Sequence, residues 1–89
     1  MRKPVFTKQF QRDYKKIEKS GKNIYLLQET LRKLINEEIL DSTYHDHALH
    51  GGWKDCRDCH IQGDWILIYK LVDKDKIYFE RTANHSELF

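Results

Sequence analysis

Trp65-Ile66-Leu67-Ile68-Tyr69 is apolar at every position, and this run decides the fold. A strand with one wet face alternates apolar and polar residues, whereas a strand with no polar position is covered on both faces and lies inside a sheet. The flanking residues extend the reading. Gln62-Gly63-Asp64 before the run and Asp73-Lys74-Asp75 after it are turn signals, and Lys54–Ile61 and Lys76–Thr82 beyond them are strand-like. Three strands joined this tightly form an antiparallel meander with Trp65–Leu71 at its centre. In the last of them Ile77, Phe79 and Arg81 alternate with Tyr78, Glu80 and Thr82, a more one-sided pattern.

The first half of the chain changes period. Pro4-Val5-Phe6 reads as a brief strand, and Thr7 can cap a helix from about Lys8 to Lys19 that Gly21 ends. At about 100° per residue, Phe10, Tyr14 and Ile17 share one side, while Lys8, Arg12, Lys15 and Lys19 centre on the other. A second helix, from about Asn23 to Glu38, stacks Ile24, Leu27, Leu31, Leu34 and Ile35 into one stripe. The order is therefore β-α-α-β-β-β: an α+β fold, an antiparallel sheet with two N-terminal helices packed on one face.

At 89 residues the chain supports one domain and one modest core, so residues 1–89 are read as a single unit. No apolar run approaches the roughly 20 residues of a membrane span, and Met1-Arg2-Lys3-Pro4 leads into no signal-peptide core. A cytoplasmic protein with no membrane partner is the expectation. The net charge of +2 hides an asymmetry: residues 1–40 carry ten Lys/Arg against five Asp/Glu, and residues 41–89 carry six against nine. The basic half suits an acidic partner, either nucleic acid or an acidic protein, or else a solvated helix face.

Chemistry concentrates in the second half. All five histidines follow residue 44, and His47, His60 and His85 sit in short turn-flanked motifs. Imidazole takes and gives protons near neutral pH, so histidines brought together point to acid–base catalysis. One other reading competes. Cys56, Cys59 and His60 resemble part of a zinc site, but a structural site needs four ligands, no second cysteine pair exists, and a strand offers no turn to gather both sulfurs. The expectation is no metal, no cofactor and two reduced thiols. Asp64, in a turn, either joins the histidines or caps backbone. Trp65 begins the buried strand, and Phe89 either packs back or lies against a ligand. Alternation puts Arg57 and His60 on opposite faces of their strand, and His60 is favoured for the site. His45 and His50 read as exposed loop residues.

Three segments then resemble a known family. Asp46-His47-x-Leu49-x-Gly51-x-Trp53-Lys54, Arg57-x-x-His60-x-x-x-Asp64-Trp65-x-Leu67-x-Tyr69 and Arg81-Thr82-x-x-His85-Ser86-Glu87-Leu88-Phe89 are similar in order and spacing to the YafQ branch of the RelE/ParE superfamily. The likeness spans nearly the whole chain. Ala48 stands where the family often has proline and Ala83 where it often has glycine; Cys56 and Cys59 lie outside the pattern.

The resemblance implies a RelE-like fold and a ribosome-dependent mRNA endoribonuclease. Such a toxin cuts translated messages in the ribosomal A site without a metal and is silenced by a cognate antitoxin. It implies functional roles for His47, His60, Asp64, His85 and Phe89, with Trp65 implicated and Arg81 a phosphate ligand. His47 or His60, assisted by Asp64, would take the 2′-hydroxyl proton, and His85 would protonate the departing 5′-oxygen. Lys8, Arg12, Lys15 and Lys19 would meet rRNA phosphates or the antitoxin. The alternative is a non-nuclease toxin of the ParE kind, which binds and inhibits DNA gyrase and needs no histidine site.

Overall fold

In the computed structural model, which describes residues 1–89, the chain folds as β1 (Lys3–Phe6), α1 (Lys8–Lys19), α2 (Ile24–Ile35), β2 (His47–Ala48), β3 (Arg57–Gln62), β4 (Trp65–Val72), β5 (Lys76–Asn84) and α3 (His85–Leu88). The apolar run is central. β4 lies between β3 and β5 in a five-stranded sheet ordered β1-β5-β4-β3-β2, and residues Trp65 to Tyr69 are all buried.

The two faces of β4 serve two cores. Trp65, Leu67 and Tyr69, with Cys59, Ile77 and Phe79, meet Phe10 and Ile17 of α1 and Leu27, Leu31 and Leu34 of α2. Ile66 and Ile68 point the other way, where Cys56, Leu49, Trp53 and Leu88 cover them. The helices thus lie on one face, and a loop with the C-terminal turn closes the other. Cys56 and Cys59 belong to different cores and remain free thiols, both pushed toward the protonated form by burial.

Local chemistry sets the helix ends. The Thr7 side chain accepts the Phe10 N–H, and Gly21 follows α1 at φ 83°, a left-handed conformation that suits a residue without Cβ. The Asn23 side chain accepts the Tyr25 N–H at the start of α2. That helix stops at Ile35, three residues short of the sequence expectation, because Glu37 turns left-handed at φ 61°.

Three features depart from the simple meander. β1 runs parallel to β5, with Val5 opposite Tyr78 and Phe6 opposite Phe79, so the sheet is mixed. A two-residue strand, β2, adds to the free edge of β3, pairing His47 with Asp58 and Ala48 with Arg57. On β5, Ile68 pairs with Arg81 but Tyr69 with Phe79, which leaves Glu80 as an extra residue and bends the strand.

Candidate active site

The sheet face opposite the helices gathers the histidines. On β3, Cys59 faces the helices while Asp58 and His60, its neighbours, face the other way, as the two-residue period of a strand requires. β2 adds His47 directly opposite Asp58. The β3–β4 turn and β5 end side by side, and α3 begins there with His85.

Asp58 is the centre of this arrangement. It is only 1% exposed, and its Oδ1 has no hydrogen-bond partner. Burial pushes its carboxyl pKa up, while the charges of His47, His60 and His85 each pull it down. One buried carboxylate therefore feels all three histidines. Sequence reading passed over Asp58, although its i, i+2 relation to His60 placed both on one face.

His47 is poised on that carboxylate. Its Nδ1 lies 3.3 Å from Asp58 Oδ1 and 2.7 Å from the backbone carbonyl of His45. A carbonyl only accepts, so Nδ1 carries the hydrogen and the lone pair of neutral His47 is on Nε2. The ring is half exposed, leaving Nε2 a path to a ligand. His45, expected to be a bystander, holds a left-handed backbone at φ 47° and sets its ring edge-on to His60, centroids 5.3 Å apart.

The C-terminal segment folds back as a second wall. The ring of His85 packs tilted against Phe89, centroids 4.7 Å apart and planes 33° from parallel, and Phe89 reaches Trp53 at 5.9 Å. Phe89 keeps 51% of its surface exposed beside these rings. Asn84 caps the turn through a capping box with Glu87. Asp64 secures it from the β3–β4 turn: its carbonyl accepts the His85 N–H at 2.7 Å, and its Oδ2 accepts from Ser86 Oγ at 3.2 Å and Ser86 N at 3.4 Å. Asp64 thus holds the segment that carries His85; the carboxylate beside His47 is Asp58, not Asp64.

Two residues assigned to the site from sequence lie on the helical side. Trp65 is 1% exposed, its Nε1–H donating to Thr82 Oγ1 at 2.8 Å, so it is a core residue whose strand is covered on both faces. Arg81, turned by the bulge at Glu80, donates to both carboxylate oxygens of Asp13 on α1, at 2.7 and 3.2 Å. Asp13 also accepts the Thr82 N–H at 3.1 Å. Their cleft, lined as well by Lys16, Lys22 and Glu87, is separate from the histidines. Lys8, Arg12, Lys15 and Lys19 are exposed on α1, across the sheet from them.

The likeness to known proteins covers the whole architecture. Residues 2–89 match the family model described as the bacterial toxin of type II toxin-antitoxin system, YafQ. The mRNA interferase toxin YafQ of Escherichia coli K12 is 44% identical over 85 residues, 94% of this chain and 91% of that protein. The crystal structure of the E. coli DinJ-YafQ complex holds a chain 41% identical, with a TM-score of 0.91 over 100% of this chain and 99% of that one. A metal-bound toxin from Helicobacter pylori is 36% identical at a TM-score of 0.90, with both chains fully covered. This chain belongs to the YafQ family of bacterial toxins of type II toxin–antitoxin systems.

Proposed function

We propose that this chain is a ribosome-dependent mRNA endoribonuclease that works by metal-independent acid–base catalysis and is silenced by a cognate antitoxin. The observation that carries this reading is His47 set 3.3 Å from the buried carboxylate of Asp58, with His60 on the same face of β3 and His85 tied by its N–H to the β3–β4 turn. RNA brings its own nucleophile, so such a site need only align the 2′-hydroxyl and move two protons. His47 Nε2 takes the 2′-hydroxyl proton as the oxygen attacks phosphorus, with Asp58 balancing the charge gained by the ring. His85 gives a proton to the departing 5′-oxygen. The products are a 2′,3′-cyclic phosphate, which water opens to a 3′-phosphate, and a 5′-hydroxyl.

The remaining residues prepare the site. His60, packed against His45, lines the same face, and Asp64 holds the His85 turn. Phe89, packed against His85 with half its surface free, supplies a platform for a base of the message. Arg81 meets a backbone phosphate only by exchanging Asp13 for it. Lys8, Arg12, Lys15 and Lys19 present a positive surface to rRNA phosphates, and the antitoxin competes for that surface. A protein that works on the ribosome acts in the cytoplasm; no helix is long and apolar enough to cross a membrane.

Purified protein, stripped of bound metal with EDTA and then freed of the chelator, incubated with message alone and with message on ribosomes in magnesium, tests this reading. Cleavage only on ribosomes and unchanged by the stripping is expected. Cleavage abolished by the stripping and restored by adding a transition-metal ion would overturn the metal-free chemistry, and inhibition of gyrase supercoiling without any cleavage would overturn the class.

A further inference from the structure

The loop that delivers His47 is held from behind the sheet. Asp46 directly precedes His47, the first residue of β2, and the partners of the two side chains lie on opposite faces of the sheet. His47 meets Asp58 on the open face. Asp46 passes to the helical face, where its Oδ1 accepts from Tyr69 O–H at 2.6 Å and from Arg57 Nε at 3.3 Å. Arg57 and Tyr69 are themselves directly paired across β3 and β4. A single carboxylate oxygen thus spans two sheet strands and ties the chain immediately before His47 to both.

The loop is anchored at both ends, by Tyr44 on the helical core with Lys33 over its ring and by Leu49 on the other core, but beside His47 itself the ties are few. β2 contributes only two residues of pairing, and the preceding 3₁₀ turn, Ser42–Tyr44, is exposed apart from Tyr44. The hydrogen bond that fixes the His47 ring is donated by its Nδ1–H to the carbonyl of His45, on the other side of Asp46. Any slack at Asp46 therefore moves both the ring and its acceptor. Tyr69 is suited to the task, since burial, with Asp46 beside it, raises its phenol and keeps it a donor.

We infer that Asp46 is a positioning residue for the proposed reaction: with Tyr69 and Arg57 it sets the orientation and tautomer of His47 through the sheet. The inference rests on the proposed role of His47, but its test has a readout independent of activity. Groups that hold a reacting side chain in register matter by roughly tenfold to a hundredfold when removed.

Tyr69→Phe deletes one O–H and keeps the ring in the core, and Asp46→Ala deletes the acceptor. Each is expected to lower kcat on programmed ribosomes by about tenfold or more with KM unchanged. Asp46→Asn, which keeps an acceptor oxygen, should recover most of that loss. Nitrogen-15 NMR of the His47 ring is expected to show the Nδ1–H tautomer in the wild type and a mixture in Tyr69→Phe. An unchanged His47 ring in Tyr69→Phe and Asp46→Ala overturns the inference, whether or not activity falls. Full activity in His47→Ala overturns the proposed role of His47 instead, and the ring measurement still decides whether Asp46 anchors it.

Discussion

His47 Nδ1 lies 3.3 Å from Oδ1 of Asp58, a carboxylate that is almost wholly buried and has no hydrogen-bond donor on that oxygen. Such a group is costly to the fold and useful to a site. Burial raises its pKa, so the folded chain holds this proton more tightly than the unfolded chain does. Stability is then greatest below the carboxyl's unfolded pKa and declines as pH rises through its raised folded value.

Replacing Asp58 by Asn removes the charge and keeps the shape. Urea midpoints measured from pH 4 to 8 should show a variant whose stability declines less with rising pH, with a gain of about 1 kcal/mol at neutral pH. Cleavage by the same variant should fall, because His47 loses the charge that balances its protonated form. Stability and activity moving in opposite directions are the signature of a group kept for function.

Removing Phe89 tests the C-terminal wall. The ring packs tilted against His85 and touches Trp53 but lies outside both cores, so its loss should cost about 1 kcal/mol of stability or less. Cleavage should fall well beyond that small change, by about tenfold, as His85 loses the ring packed against it. Thermal melting beside single-turnover cleavage separates the two effects.

Asp13 and Arg81 should behave in the opposite way. Their ion pair is two-thirds or more buried and also holds the Thr82 N–H. Asp13→Ala leaves a guanidinium without its partner and should destabilise the fold by about 3 kcal/mol, read from denaturant unfolding. Arg81→Lys keeps the charge but cannot reproduce the two-pronged contact, so it should lose part of the same stability, about 1 kcal/mol or more.

Much of this structure was legible in the sequence because it depends on local periodicity. The apolar run at 65–69 placed β4 in the centre, Thr7 and Gly21 bracketed α1, and strand alternation separated Arg57 from His60. What was missed depends on partners distant in the chain or on interruptions of the period. The parallel pairing of β1 joins Lys3 to Lys76, at opposite ends of the chain, and β2 is too short to show a period. The bulge at Glu80 broke the alternation that would have placed Arg81. Asp58 was readable, two residues before His60, but an acidic residue in a strand is ordinarily a solvated one. The Asn84-His85-Ser86-Glu87 capping box was readable too, though four residues carry no helical period.

The basic back of α1 gives an expectation about salt. Reversing charge at Lys8, Arg12, Lys15 and Lys19 should leave the circular dichroism spectrum unchanged, since all four are exposed. Ribosome affinity should weaken, and its log–log salt dependence should flatten by about one unit for each phosphate that the helix no longer neutralises. Full affinity at moderate salt would assign docking to another surface.

The central claim is that the histidines around Asp58 form a ribonuclease site, and mapping messenger 5′ ends after induction of the wild type and of His85→Ala tests it most directly. New 5′-hydroxyl ends in phase with codons are expected in the wild type and absent, or reduced by about a hundredfold, in the variant. The same in-phase ends at the same frequency in both would contradict it.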